Sequence, residues 1–201
     1  MKKHIRRAMA VEKRLFFILV AVMMVTSIQA EGHMKFKGIE IDGVPQEFVQ
    51  KLKAKGFTHI GKENGSDMLL GDFAGFKNCV IGVASYADKV AKVAVIIPDD
   101  SNSWSLFYGK YASLKEMLTQ KYGEPSADEE EWQGYEGKPK DDNSCMHELK
   151  MDRAKIGSYF ETPEGNIELL ILSIKMQCCI MIAYYDAVNY KAALDSAMED
   201  L

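Results

Sequence analysis

Apolar positions in this chain recur at helical spacing in three stretches and at shorter, strand-like spacing in most of the rest. The longest stripe is Phe107, Tyr111, Leu114, Leu118 and Tyr122, at steps of four, three, four and four. Steps of that size place side chains on one face of a helix. Ser101, Asn102 or Ser103 is suited to cap it, and Gly123 and Pro125 end it. An earlier helix is predicted from Pro45, which suits a first helical position, through Phe48, Val49 and Leu52 to a stop at Gly56. A last amphipathic helix is predicted from Val188 to Met198. A short opening strand carries Phe36, Ile39 and Ile41 and ends in the Asp42-Gly43 turn. Further strands are predicted at 68–73, 78–85 and 92–97, then at 156–161, 167–174 and 178–185, each rich in branched or aromatic residues.

The order is helix then three strands, repeated, with a closing C-terminal helix. This predicts an α+β protein whose antiparallel sheets carry helices on one face, leaving the opposite face solvated or open to a partner. Residues 31–201 read as one α+β domain, with possible half-repeats at 34–98 and 99–201. The free sheet face is the expected seat of function.

The first thirty residues change the picture. Lys2, Lys3, Arg6, Arg7, Lys13 and Arg14 precede the apolar run Leu15 to Val25, which is followed by small and polar residues up to Ala30. A basic start, a short apolar centre and a small-residue exit make a cleavable export signal. Cleavage is expected after Ala30, with Ser27 as the alternative. Eleven apolar residues are about half of the roughly 20 that a spanning helix needs. No cysteine follows the cleavage point, so lipid attachment is not expected, and the product is expected to be periplasmic or secreted.

Without this leader the chain holds 19 Lys plus Arg against 28 Asp plus Glu, a net charge of −9. An acidic product with no basic stripe is poorly suited to a phosphate backbone, whose affinity comes from Lys and Arg displacing counterions. Nucleic-acid binding is therefore not expected. Export also bears on Cys79, Cys145, Cys178 and Cys179, because an oxidising compartment favours disulfides. Cys178 and Cys179 are neighbours in a strand and point to opposite faces, so a bond between them would be strained. The expected bond joins Cys145 to one of this pair, with Cys79 bonded to the other or buried as a thiol; four cysteines allow three complete pairings.

Catalytic and metal chemistry finds little support. Cys145 and His147 lie two apart, which shares a face in a strand, but a thiol nucleophile needs a base and an orienting group from separate elements. His33 and His59 have no neighbouring ligand at a recognised metal spacing. Asp128, Glu129, Glu130 and Glu131 head the densest acidic stretch, which lacks the alternating pattern of a calcium loop and reads as a solvated loop able to steer a basic partner. No metal and no cofactor is expected. Trp104, Tyr108, Trp132 and Tyr135 are the candidate binding residues, since exposed aromatic side chains anchor interfaces. Packing into the core is the competing role for each, and Trp132 in an acidic surround either plugs its loop onto the core or awaits a partner.

Two resemblances bear on these residues. The opening from Met34 through Gly38, Asp42 and Gly43, then Phe48, Leu52, Gly56 and Phe57, resembles a family of uncharacterised bacterial proteins, mostly exported; this covers the first third of the mature chain and implies a fold and a compartment, with no site residue. The doubled helix-plus-sheet order, with Tyr111, Leu114, Leu118 and the Lys121-Tyr122-Gly123-Glu124-Pro125 closure, is similar to the tandem layout of β-lactamase inhibitor protein and of small outer-membrane assembly lipoproteins. That layout implies protein binding by an exposed sheet. The leading expectation is an exported, non-enzymatic module that binds another envelope or extracellular protein. The alternatives are a hydrolase-type enzyme with a scattered site and a structural envelope protein.

Overall fold

A computed structural model of the chain describes residues 32–199; the expected leader lies outside them. The chain enters through a small hairpin, β1 (Lys35–Phe36) and β2 (Ile39–Glu40), followed by α1 (Pro45–Ala54). Four strands follow: β3 (Thr58–Glu63), β4 (Ser66–Phe73), β5 (Phe76–Tyr86) and β6 (Lys89–Pro98). The second half runs α2 (Trp104–Tyr122), β7 (Ala127–Trp132), α3 (Asp142–Lys150), β8 (Ala154–Thr162), β9 (Gly165–Ile174), β10 (Gln177–Asp186) and α4 (Ala187–Glu199). The architecture is α+β, and each half holds four strands of the main sheet where three were expected.

The eight strands form one antiparallel sheet in the order β3-β4-β5-β6-β10-β9-β8-β7. The last strands of the two halves, β6 and β10, pair at its centre. Cross-strand register places Leu69, Ile81, Val95, Ile182, Leu169, Ser158 and Asp128 in one row across the first face. The five apolar members of that row are fully buried, as is Ser158. Over them pack Phe48, Val49 and Leu52 of α1, Phe107, Tyr111, Leu114 and Leu118 of α2, and Cys145, Met146 and Leu149 of α3. The helical stripes read from spacing are thus the surfaces these helices bury. Ser103 is the residue that caps α2, its side chain accepting from the Leu106 amide.

Where the buried row turns polar, every group finds a partner, as burial demands. Ser158 Oγ donates to Asp128 Oδ1 at 2.6 Å, so its oxygen accepts from the Tyr111 hydroxyl at 2.7 Å. Lys115 Nζ closes the chain on Asp128 at 2.8 Å. Burial is the main cause that pushes the Tyr111 hydroxyl up to about 12, which keeps it a donor. This chain of bonds ties α2 to the outermost strand, β7.

The expectation that all helices share one face is corrected by α4. It packs against β10, β6, β5 and β9 from the side opposite α1, and Tyr190 meets the second-face residue Tyr185 edge-on at 4.6 Å. Asp186 caps this helix by accepting from the amides of Val188 and Asn189, at 3.2 and 2.9 Å. Its other oxygen accepts from the Met34 amide at 2.9 Å, and His33 Nδ1 lies 3.0 Å from the carboxylate. One buried side chain therefore joins the entry of the fold to its last helix.

Candidate functional site

The second face of the sheet divides in two. Its central row runs Leu70, Val80, Ile96, Met181, Leu170, Gly157 and Glu129. Around Tyr185 and Lys92 this face lies under α4, where Ala183 is buried and Lys92 donates to the Tyr185 hydroxyl at 2.9 Å, while Val80, Ile96 and Met181 of the central row are half-buried. Tyr185 in turn donates to Glu168 at 2.6 Å, and desolvation lowers the Lys92 ammonium below the usual lysine range. Over β7, β8 and the middle of β9 the face stays open at Glu131, Lys155 and Glu161, which are exposed.

The uncovered half has an apolar floor and a charged rim. Gly157 lets Leu170 and Tyr159 lie close to the strand: a methyl group at Gly157 would meet Leu170 Cδ2 at 2.6 Å and the Tyr159 hydroxyl at 3.3 Å. Tyr159 donates to Glu129 at 3.0 Å across the strand pair. Burial first, and then the Glu129 carboxylate, raise the Tyr159 ionisation above the ordinary tyrosine value, so the phenol stays a donor. Leu170 and Leu172 are half-buried, while Glu131, Lys155 and Glu161 are exposed around them. Two shallow hollows adjoin here and share Asp152 and Lys155. One of about 310 Å³ lies over Tyr159, Leu170 and Leu172; the other, about 570 Å³, lies at the end of β7 against Trp132, Tyr135 and Arg153.

The aromatic candidates separate into two kinds. Trp104 and Trp132 are 2% and 4% exposed and pack edge-on with ring centres 5.2 Å apart, so neither is an exposed anchor. Trp132 plugs its segment onto the core, its Nε1 donating to Glu130 at 3.0 Å. Tyr108 is half-buried and packs between Trp104 and Tyr111. Tyr135, 46% exposed, alone of the four presents most of its ring to solvent, at the rim of the larger hollow. The acidic segment Asp128 to Glu131 is strand β7, where a loop was expected.

The expected disulfide from Cys145 is also corrected, while Cys79 is the buried thiol that one of the alternatives gave. All four thiols are free and buried. Cys79 on β5 and Cys178 on β10 are separated by β6, about 9.6 Å across two strand spacings, beyond disulfide reach. Cys179 points to the other face, and Cys145 Sγ faces the Pro139 carbonyl at 3.5 Å. Burial raises all four thiols, Cys179 to about 11. The native protein is expected to give no reaction with a thiol reagent, and the denatured, unreduced protein four thiols; fewer than four after denaturation would restore the disulfide.

Cys145 and His147 do not form a catalytic pair. They lie on the helix α3, not on a strand, and two helical positions turn the buried thiol and the exposed imidazole to different sides. Among the described residues no three His, Cys, Asp or Glu side chains are placed to hold a metal ion, and no helix is long and apolar enough to cross a membrane. Tyr159, Leu170, Leu172 and Lys155 were not singled out from sequence. The available signal was Leu169 to Leu172, apolar at four successive positions, which marks a strand with apolar residues on both faces. No protein-family model matches this chain, and no curated protein or solved structure does.

Proposed function

We propose that this is an exported protein-binding module whose docking surface is the second face over β7, β8 and the middle of β9. The carrying observation is the apolar floor of that face: Leu170 and Leu172 are left half-buried beside Tyr159, and Tyr135 is exposed at the rim of the adjoining hollow. A flat apolar floor ringed by charged groups is the anatomy of a protein interface, with anchors at the centre and polar groups at the rim. The shallow hollows favour another protein over a small molecule, which would be enclosed. The partner is an envelope or extracellular protein, consistent with the export signal, and the resemblance to tandem helix-and-sheet proteins that bind through a sheet supports the same reading.

Leu170→Asp and Leu172→Asp place a charge on the floor without touching the first face. Both variants are expected to keep the far-ultraviolet circular dichroism and thermal midpoint of the parent. Immobilised parent protein is expected to retain an envelope component that neither variant retains; equal retention by all three would remove the face from the function.

A further inference from the structure

We infer that the outer edge of β7 accepts an extended, lysine- or arginine-bearing segment of the partner as a ninth strand of the sheet. This rests on the docking reading above and specifies the chemistry of the partner. The sheet has two outer edges, and they differ. At β3 the register breaks between His59 and Gly61, a bulge that disrupts regular pairing along that edge. At β7 six consecutive residues, Ala127 to Trp132, keep unbroken register with β8.

The phase of the β7 hydrogen bonds follows from one contact. Gln133 donates its amide to the Arg153 carbonyl at 2.9 Å. In an antiparallel ladder the bonded positions alternate, so the amides of Glu131 and Glu129 point at β8 and those of Asp128, Glu130 and Trp132 point away from the sheet. An extended chain alongside would take these three donors and the matching carbonyls, the usual arrangement when a peptide adds to a sheet edge. The hollow of about 570 Å³ at the end of β7, against Trp132 and Tyr135, has room for one large side chain of such a strand.

Charge selects the occupant. Asp128 is held by Lys115 and Ser158, Glu129 by Tyr159, and Glu130 by Trp132 Nε1, so three carboxylates are fixed along the edge. A second copy of this chain would bring the same acids against them, and like charges directly opposite are destabilising. A strand with Lys or Arg at alternate positions meets carboxylates on either face of β7 and gains from the pairing.

The test uses the exported protein, a ten-residue peptide alternating lysine and valine, its glutamate counterpart, and the lysine peptide N-methylated at alternate residues. Amide hydrogen exchange and methyl chemical shifts are read by nuclear magnetic resonance. The lysine peptide is expected to slow exchange at Asp128, Glu130 and Trp132, while the glutamate and N-methylated peptides do not. Glu130→Pro removes an outward amide, which an edge strand tolerates, together with the carboxylate that accepts from Trp132 Nε1, and is expected to weaken binding about tenfold or more, whereas Glu130→Ala, which loses the carboxylate and keeps the amide, is expected to bind within about threefold of the parent. Glu130→Gln keeps that amide and an acceptor for Trp132, and is expected to bind within about threefold of the parent. Shifts confined to the Leu170 and Leu172 methyls, without slowed exchange on β7, would overturn the edge inference and leave the docking face standing. Equal binding of the N-methylated peptide would overturn the inference through its hydrogen bonds, and no response on edge or face would count against both.

Discussion

Asp186→Ala is expected to cost about 3 to 5 kcal/mol of folding stability, measured by chemical denaturation. The Asp186 side chain is fully buried and accepts from three backbone amides, those of Met34, Val188 and Asn189, with His33 Nδ1 as a fourth neighbour. Truncation leaves these groups without an acceptor at a point where water does not replace the carboxylate. The loss falls on two elements at once, because the same side chain caps α4 and anchors the residues ahead of β1. Asn189, next in this corner, donates to the carbonyls of Ile41 and Val90 and to Asp42 Oδ1, so a shift of the α4 start would disturb those bonds as well. Asp186→Asn keeps one good acceptor and is expected to cost about 1 to 2 kcal/mol. A loss below about 1 kcal/mol for Asp186→Ala would mean that α4 is held chiefly by its packing on the second face.

Gly165→Ala is expected to be as damaging, about 3 kcal/mol or more by the same measurement. Gly165 has φ +151°, a region that side chains rarely enter, and a methyl group there would run into the Tyr185 carbonyl oxygen on the paired strand. Both obstacles are backbone, so no rotamer relieves them. Gly109 provides the contrast. It lies within α2, and a methyl group there meets nothing within 4 Å, so Gly109→Ala is expected to add about 0.5 to 1 kcal/mol through helix propensity. The same chemical change thus carries opposite signs at two positions of one chain. Equal effects at both would contradict the packing described for the Gly165 corner.

The parts of the fold that sequence made legible are those where burial dictates the residues. Phe107, Tyr111, Leu114 and Leu118 had to lie along one helix face because no other geometry buries them together, and the central strands declared themselves through Val, Ile and Leu. The elements it concealed lie where burial relaxes. β3 and β7 are the two outer strands, each paired on one side only, and Ala127 to Glu131 shows no apolar alternation; only Trp132 at its end is buried. The helix α3 was hidden by its shortness, although Asp141 caps it through the Ser144 amide and Cys145, Met146 and Leu149 carry its buried stripe.

The candidate site was legible as a free sheet face and illegible in its residues. Spacing shows that Leu170 and Leu172 sit on one side of β9 and Leu169 and Ile171 on the other. It does not show which helix returns to cover which side. Trp132 shows the same limit: a tryptophan amid acids reads either as a plug on the core or as an exposed anchor, and it is the ring of Trp104 packed against it that makes it the plug, leaving Tyr135 as the exposed aromatic of the four candidates. Side-chain chemistry alone does not reveal a partner that lies 28 residues away in sequence.

The most direct measurement of the docking face is photo-crosslinking in envelope extract, with a photo-reactive phenylalanine analogue placed at Leu172 and, as control, at the exposed Ala112 on α2. The docking account predicts a discrete protein adduct from position 172, lost when Leu170→Asp is added, and none from position 112. No adduct from position 172, or the same adducts from both positions, would contradict it.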